Sequence, residues 1–290
     1  MNRKTLLITG GKGMLGQEVH ARFAGKYEIR VTDLAEFDVT SPGECRRVIG
    51  GLCPDVVVHC AAYTAVDRAE SEEALAFRVN ADGTRNVARE CREHGAFMVT
   101  FGTDYVFDGN SSVPYGEEDR PHPLSAYGRS KLAAEEALKA EAPGHLLVRT
   151  QWLYGAHGRN FVFAVLDKAR RGEPLRVVSD QKGTPTSAVD LADATGRLLE
   201  SGARGTFHFS NDGETTWFDF ASFLLARAFR GPFSISPALT GDLSYPAPRP
   251  PYSVLSKEKY REVTGVVPRR WEDAVTDFLK TMHEGEGAIR

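Results

Sequence analysis

The 290 residues carry a formal charge of −3, with 41% hydrophobic and 26% charged side chains, a globular balance that allows one large domain or a domain with a smaller lobe. Basic residues cluster only as pairs (Arg46-Arg47, Arg170-Arg171, Arg269-Arg270), which excludes the basic stripe that nucleic acid demands and points to a small-molecule partner. The apolar run Leu6-Leu7-Ile8 is cut by Gly10 and Gly11, far short of a membrane span or a signal-peptide core, so no membrane partner and a cytoplasmic location are expected.

Along the chain, "TLLIT" (5–9), "YEIRVTD" (27–33), "DVVVHCA" (55–61), "AFMVTFG" (96–102) and "HLLVRT" (145–150) are β-rich and mostly apolar, as strands buried on both faces of a parallel sheet should be. Amphipathic segments near 13–24, 42–52, 72–94 and 125–141 separate them and are long enough to be crossover helices. That alternation predicts an α/β fold with a doubly wound parallel sheet. After residue 154 come a helix at 160–171, a strand at 175–180, a helix at 188–201, a strand at 205–210 and a helix at 216–229. The proline-rich run 244–253 is expected to be an ordered loop, because proline lacks a donor and fixes φ. A last helix is placed near 270–283. The four cysteines (Cys45, Cys53, Cys60, Cys91) show no C-x-x-C spacing and fall in helix- or strand-like stretches; they are expected to be buried free thiols, with no metal site.

The stretch "TGGKGMLG" (9–16) lies between the first strand and the first helix, and two phosphate-binding spacings overlap in it: Gly11-x-Gly13-x-x-Gly16 and Gly10-x-x-Gly13-x-x-Gly16. Asp33 ends the next strand, 17 residues after Gly16. Glycines let backbone approach a pyrophosphate, a helix N-terminus stabilises its charge, and an acid accepts hydrogen bonds from the ribose; the combination predicts a bound dinucleotide. A glycine-rich turn that binds nothing is the alternative.

Tyr127 and Lys131 in "SAYGRSKLAAE" are four apart on a predicted helix, so both project from one face. An ammonium beside a phenol favours the phenolate and brings the group toward proton exchange at neutral pH. Such a pair is common by chance on a surface helix. It gains weight from "GTDYVF", which puts the Thr103 hydroxyl at the C-terminal edge of the sheet, where α/β folds bind ligands.

In order along the chain, "TGGKGMLG", "PDVVVHCAAYTAVDRAE", "GTDYVFDG", "YGRSK", "VRTQWLYG", "DQKGTPT" and "RPPYSVLS" resemble the extended short-chain dehydrogenase/reductases, and among them the dTDP-4-dehydrorhamnose reductase family, over nearly the whole chain. The resemblance implies a Rossmann domain of residues 1–154, to which 184–212 returns, and a smaller C-terminal substrate-binding lobe of 155–183 and 213–290. It implies the second glycine register, leaving Gly11 a coincidence. It also implies NADH or NADPH as cofactor, with NADH favoured because Asp33 repels a 2′-phosphate and no arginine follows it closely. A dTDP-sugar substrate and a possible homodimer are implied as well.

Residue by residue, the resemblance makes Thr103, Tyr127 and Lys131 catalytic. Tyr127 protonates the C4 oxygen of a keto-sugar, Lys131 lowers the tyrosine pKa and holds the nicotinamide ribose, and Thr103 bonds the carbonyl oxygen. Gly10, Gly13, Met14, Leu15 and Gly16 cover the pyrophosphate, Asp33 holds the adenosine ribose, and Asp38 and Val39 lie along the adenine. Ala61, Ala62, Tyr63 and Thr64 line the cofactor. Asp104 and Trp152 face the sugar, unless Trp152 is a core aromatic, and Arg249 neutralises the diphosphate. Two positions depart from the pattern: Gly102 stands where many relatives have serine, and Val189 where a Mg²⁺-bridged member has glutamate. Tyr105 in place of a glutamate argues against a 4,6-dehydratase. Another nucleotide-sugar 4-ketoreductase, an epimerase, or a non-catalytic subunit like the regulatory subunit of methionine adenosyltransferase remain as alternatives.

Overall fold

The computed structural model describes residues 3–142 and 144–287. The longer strands, in chain order, are β1 (Thr5–Thr9), β2 (Glu28–Thr32), β3 (Val56–His59), β4 (Phe97–Thr103), β5 (His145–Thr150), β6 (Leu175–Val178), β7 (Gly205–His208) and β8 (Ile235–Ala238). Six of them form one parallel sheet in the order β7-β5-β4-β3-β1-β2. Strand order reverses on either side of β1, which opens a crevice at the carboxyl ends of β1 and β3. This is the doubly wound fold expected from the alternation.

Alternation within the strands sorts the core into two layers. Leu6 and Ile8 pack on one face with Val19 and Phe23 of α1 (Met14–Phe23) and with Leu191 and Leu198 of a later helix, 188–200. Leu7, Val57 and Met98 pack on the other with Ile49, Val87, Cys91 and Leu138. β2 departs from the expected double burial: it is the edge strand, and Glu28, Arg30 and Val31 are exposed because only β1 flanks it.

Two of the predicted helices contain π-turns. Residues 42–52 run as α2 (Pro42–Cys45) into a π-turn at Arg46–Gly50. After a short α3 (Val66–Ala69), α4 runs from Glu73–Phe77 through a π-turn at Arg78–Asp82 into Gly83–Glu93. The helix that carries Tyr127 and Lys131, α5, spans Ala126–Glu141.

A second core lies beyond the sheet, where α6 (Phe161–Arg170), α8 (Trp217–Ala228) and α10 (Trp271–Gly287) flank the β6–β8 ladder, joined through Val162, Leu166, Leu175, Phe220, Trp271 and Phe278. The helix between them in sequence, α7 (Ala188–Glu200), returns to the sheet and packs on α1. Strand β8 and the short α9 (Glu258–Thr264) were not anticipated, and α9 sits with the sheet rather than with the lobe: Tyr260 is edge-on to Phe209 with centroids 5.0 Å apart. Run 244–253 is irregular, and Tyr115 N–H bonds the carbonyl of Val254 just beyond it. Cys45 and Cys91 are buried free thiols, but Cys53 is exposed, in the left-handed region (φ 45°) where the chain turns off the second crossover helix.

Candidate active site

The glycine loop is tight for reasons the coordinates make explicit. Gly10 has φ 64°, a left-handed conformation that costs other residues energy, and a Cβ there would stand 2.6 Å from the Ala61 amide nitrogen. Gly16 lets α1 close on the loop, since a Cβ would lie 2.4 Å from the Gly10 carbonyl oxygen. Gly13 is the N-cap of α1; no side chain caps this helix and its first turn holds no acid, so its leading N–H groups and positive dipole end face the crevice. These features fit a dinucleotide pyrophosphate. Gly11 has a packing reason of its own, outside the choice of register: a Cβ there would lie 2.2 Å from Val31 Cγ1 on β2.

Of the other residues expected along the cofactor, Met14 is half-buried against Gly155, while Leu15 and Val39 place their side chains in the core, so Leu15 offers backbone only and Val39 packs against Gly83. Asp38 accepts from the Thr40 amide at 2.9 Å. Asp33 accepts from the Lys12 amide at 2.9 Å, which ties the acid to the glycine loop. The Lys12 ammonium reaches Glu36 at 2.6 Å, so a cation stands at the end of β2 although no arginine follows Asp33 closely; it comes from the preceding loop.

The turn Ala61-Ala62-Tyr63-Thr64 is clamped by Asn80, a residue the sequence reading passed over. Asn80 is 1% exposed; its Oδ1 accepts from the Tyr63 amide (2.8 Å), and its Nδ2 donates to the Tyr63 carbonyl (3.1 Å) and to Ser130 Oγ on α5 (2.9 Å). It sits in the π-turn of α4, a feature that concentrates at functional sites, and a lone asparagine inside an amphipathic run was the available signal.

Thr103 closes β4, and Tyr127 and Lys131 stand on α5, whose N-terminus is capped by Ser125 accepting from the Gly128 amide at 3.1 Å. Gly128 lets this helix end press on the turn after β4, because a Cβ would meet the Tyr105 carbonyl oxygen at 2.3 Å. The Thr103 hydroxyl is brought beside the Tyr127 phenol and favours its ionised form. Burial pushes that phenol up to about 12, less a reduction by the Thr103 contact and with a further rise from the Asp104 charge. Lys131 is not among the groups that set this shift; its ammonium donates to the Phe101 carbonyl at 2.8 Å. Burial brings Lys131 down to about 8, opposed by the charge of Glu135 one turn along α5. Burial also raises Asp104 to about 6.

On the lobe side, Trp152 is a strained residue (φ 46°) that stacks on Trp217 with centroids 3.7 Å apart. Trp217, Phe161, Tyr105, Tyr245 and Arg249 are among the residues that line a cleft of about 350 Å³. Arg249 is not free. It donates to the Asp67 carboxylate of α3 (2.9 Å) and to the Ala247 carbonyl (2.9 Å), and lies over the Tyr245 ring at 4.0 Å. Gly102 has a local cause as well: a Cβ would run into Arg149 Cγ (2.7 Å) and Glu135 Oε1 (2.8 Å), a buried ion pair behind the site that leaves no room for serine.

A family model described as the RmlD substrate binding domain matches residues 4–284. The chain belongs to this family. It shares 36% identity with the dTDP-4-dehydrorhamnose reductase of Salmonella typhimurium over 96% of this chain and 97% of that one. It is 41% identical to a Streptomyces antibioticus protein named as a probable dTDP-4,6-dihydroxy-2-methyloxan-3-one 4-ketoreductase, covering 93% of each. The crystal structure of the Bacillus anthracis dTDP-4-dehydrorhamnose reductase in complex with NADP superposes with a TM-score of 0.93 at 35% identity, covering 96% of this RmlD-family chain and 99% of that one. Among the described residues, no helix is long and apolar enough to cross a membrane.

Proposed function

We propose that the chain is an NAD(P)H-dependent oxidoreductase that reduces the C4 keto group of dTDP-4-dehydro-L-rhamnose to dTDP-L-rhamnose, in the biosynthesis of cell-surface polysaccharide. The observation that carries the chemistry is the Tyr127 phenol beside Thr103 at the sheet edge, in a family whose relatives are named for this reaction. A phenol held near 12 is fully protonated at neutral pH, which is the form a ketone reduction requires. When bound, the reduced nicotinamide supplies hydride to C4. Tyr127 gives its proton to the carbonyl oxygen as charge grows there, and Thr103 beside it turns its hydroxyl from Asp104 Oδ1 to the same oxygen when the substrate binds. Lys131, one turn from Tyr127 on α5 and lowered to about 8, can exchange protons near neutral pH and is the group assigned to resupply the phenol. Coupling the purified protein with NAD(P)H and enzymatically generated dTDP-4-keto sugar, with the product identified by chromatography, tests the reading. An epimerase leaves the nicotinamide absorbance unchanged; a binding subunit binds without turnover.

Arg249 is assigned to the substrate diphosphate. Arg249→Ala is expected to raise KM by roughly 10- to 150-fold, since losing a charge-assisted contact costs about 1.5–3 kcal/mol. The kcat should change far less, because the contact is equal in ground and transition states. Steady-state kinetics of Asp67→Asn separate this from loop anchoring: an equal rise in KM there would assign the effect to the Asp67 clasp.

Asp33 is assigned to the adenosine ribose, and Lys12 offers a cation to a 2′-phosphate. Asp33→Ala is therefore expected to weaken NADH binding by about tenfold or more and to narrow or invert any preference over NADPH. Fluorescence titration with both nucleotides measures it; two unmoved affinities would remove Asp33 from the ribose.

A further inference from the structure

Three polar atoms at the carboxyl ends of β4 and β5 are buried without a partner: Asp104 Oδ2, Thr150 Oγ1 and Gln151 Nε2. Buried orphans are rare, because each forgoes its hydration without replacement. Here they fall in one place. Thr150 is the register partner of Thr103, Asp104 and Gln151 follow them, and the Ser253 hydroxyl of the proline-rich strap donates to Gln151 Oε1 (3.5 Å) and helps hold the Asp104 carboxyl ionised. All are shielded: Asp104 is 1% exposed, Gln151 and Ser253 2% each. The Gln151 amide has a defined orientation, since its Oε1 accepts the Thr184 backbone N–H at 3.1 Å and its NH₂ must therefore point the other way. Of the three, Asp104 Oδ2 only accepts and Gln151 Nε2 only donates, while the Thr150 hydroxyl can do either. A secondary alcohol, which donates once and accepts once, satisfies Asp104 and Gln151 together.

We infer that Gln151, acting with Asp104, binds the ring hydroxyl on the carbon next to the reacting carbonyl, and so selects sugars that carry it. The inference rests on the 4-ketoreductase reading and names a residue that reading does not use. The location follows from the chain of neighbours: Thr103 stands beside the Tyr127 phenol on one side and donates to Asp104 Oδ1 at 3.1 Å on the other. Of the two carbons flanking C4 in a 6-deoxy-4-keto sugar, C5 bears the methyl group and C3 bears the hydroxyl. The name of the Streptomyces antibioticus relative also puts a hydroxyl on the carbon beside the ketone and none on the ring carbon after that. The C3 hydroxyl is the one that sugars of both kinds share. No charge is buried by the contact: the hydroxyl donates to the carboxylate already present and accepts from a neutral amide.

The test compares kcat/KM for a dTDP-4-keto-6-deoxy sugar and for its 3-deoxy counterpart, in wild type, Gln151→Glu and Gln151→Met. Gln151→Glu keeps an acceptor for the Thr184 N–H and replaces the donor; assayed at alkaline pH it is ionised and cannot donate. Gln151→Met removes both functions at similar volume and stands in if the first variant does not fold, with NADPH binding as the check on folding. Wild type should favour the 3-hydroxy sugar by about 10²-fold or more, since a site built to bond a hydroxyl rejects the analogue lacking it. Either variant should lose about tenfold or more on the hydroxylated sugar and little on the 3-deoxy one, so the preference collapses. Parallel losses on both sugars, as for a residue holding only a structural water or the backbone of Thr184, overturn the proposal, and so does an unchanged preference. A wild-type protein that turns over neither sugar overturns the 4-ketoreductase reading itself, and this proposal with it.

Discussion

Tyr127→Phe is expected to lower kcat by about 10²-fold or more, in the range that general acid catalysis contributes. The variant removes one oxygen. It leaves the ring, its edge-on contact with Tyr105 at 5.6 Å and the fold of α5 in place, and cofactor affinity should stay near wild type because the glycine loop and Asp33 are untouched. The pH dependence should change along with the rate. With the phenol near 12 and Lys131 near 8, wild-type turnover is limited on the alkaline side by the group that resupplies the proton, and activity falls as pH rises through the Lys131 range. In the phenylalanine variant no protein group delivers that proton, and residual activity should be flat there. Single-turnover measurement of nicotinamide oxidation, alongside fluorescence titration of NADPH, resolves the two parts; near wild-type turnover would falsify the assignment.

The second large effect is on stability. Arg149 and Glu135 are 2% and 1% exposed at the side chain and meet at 2.7 and 3.0 Å, with the Phe107 ring 5.3 Å from the guanidinium and His208 Nε2 3.3 Å from Nη1. His208 does not share the charge: burial holds its pKa down to about 3, helped by Arg149 itself, so the imidazole stays neutral through the physiological range. Arg149→Met leaves a carboxylate uncompensated in the interior and is expected to cost about 3–5 kcal/mol. Replacing both partners, as Arg149→Met with Glu135→Leu, should recover most of that loss, because an apolar pair carries no desolvation penalty. Urea unfolding of the two singles and the double measures the coupling; additive losses would mean that the pair is not the source. Glu135 also opposes the burial-driven fall of Lys131, so its removal is expected to move the alkaline limb of the pH profile to lower pH.

Much of the molecule was determined by local patterning. The β-rich runs and the helices between them were legible because a sheet covered on both faces leaves a periodic record, and β1 through β5 lie within about a residue or two of their expected bounds. The glycine loop, Tyr127 and Lys131 were legible because their spacing is itself the chemistry: three residues between phenol and amine put both on one face of α5. Tertiary structure decided the rest, wherever a residue's role depends on what the chain brings against it from far away. Gly102 is glycine because Arg149 and Glu135 occupy the volume of a Cβ. Asn80 matters because its amide reaches Tyr63 and Ser130 at once. Lys12 meets Asp33 and Glu36 only because the loop folds back beside β2. The direction of the Tyr127 shift belongs here too: spacing puts Lys131 one turn away, but burial by distant segments sets the phenol. Short-range spacing is written in the order of residues, whereas desolvation and long-range contact exist only once distant segments have excluded water together.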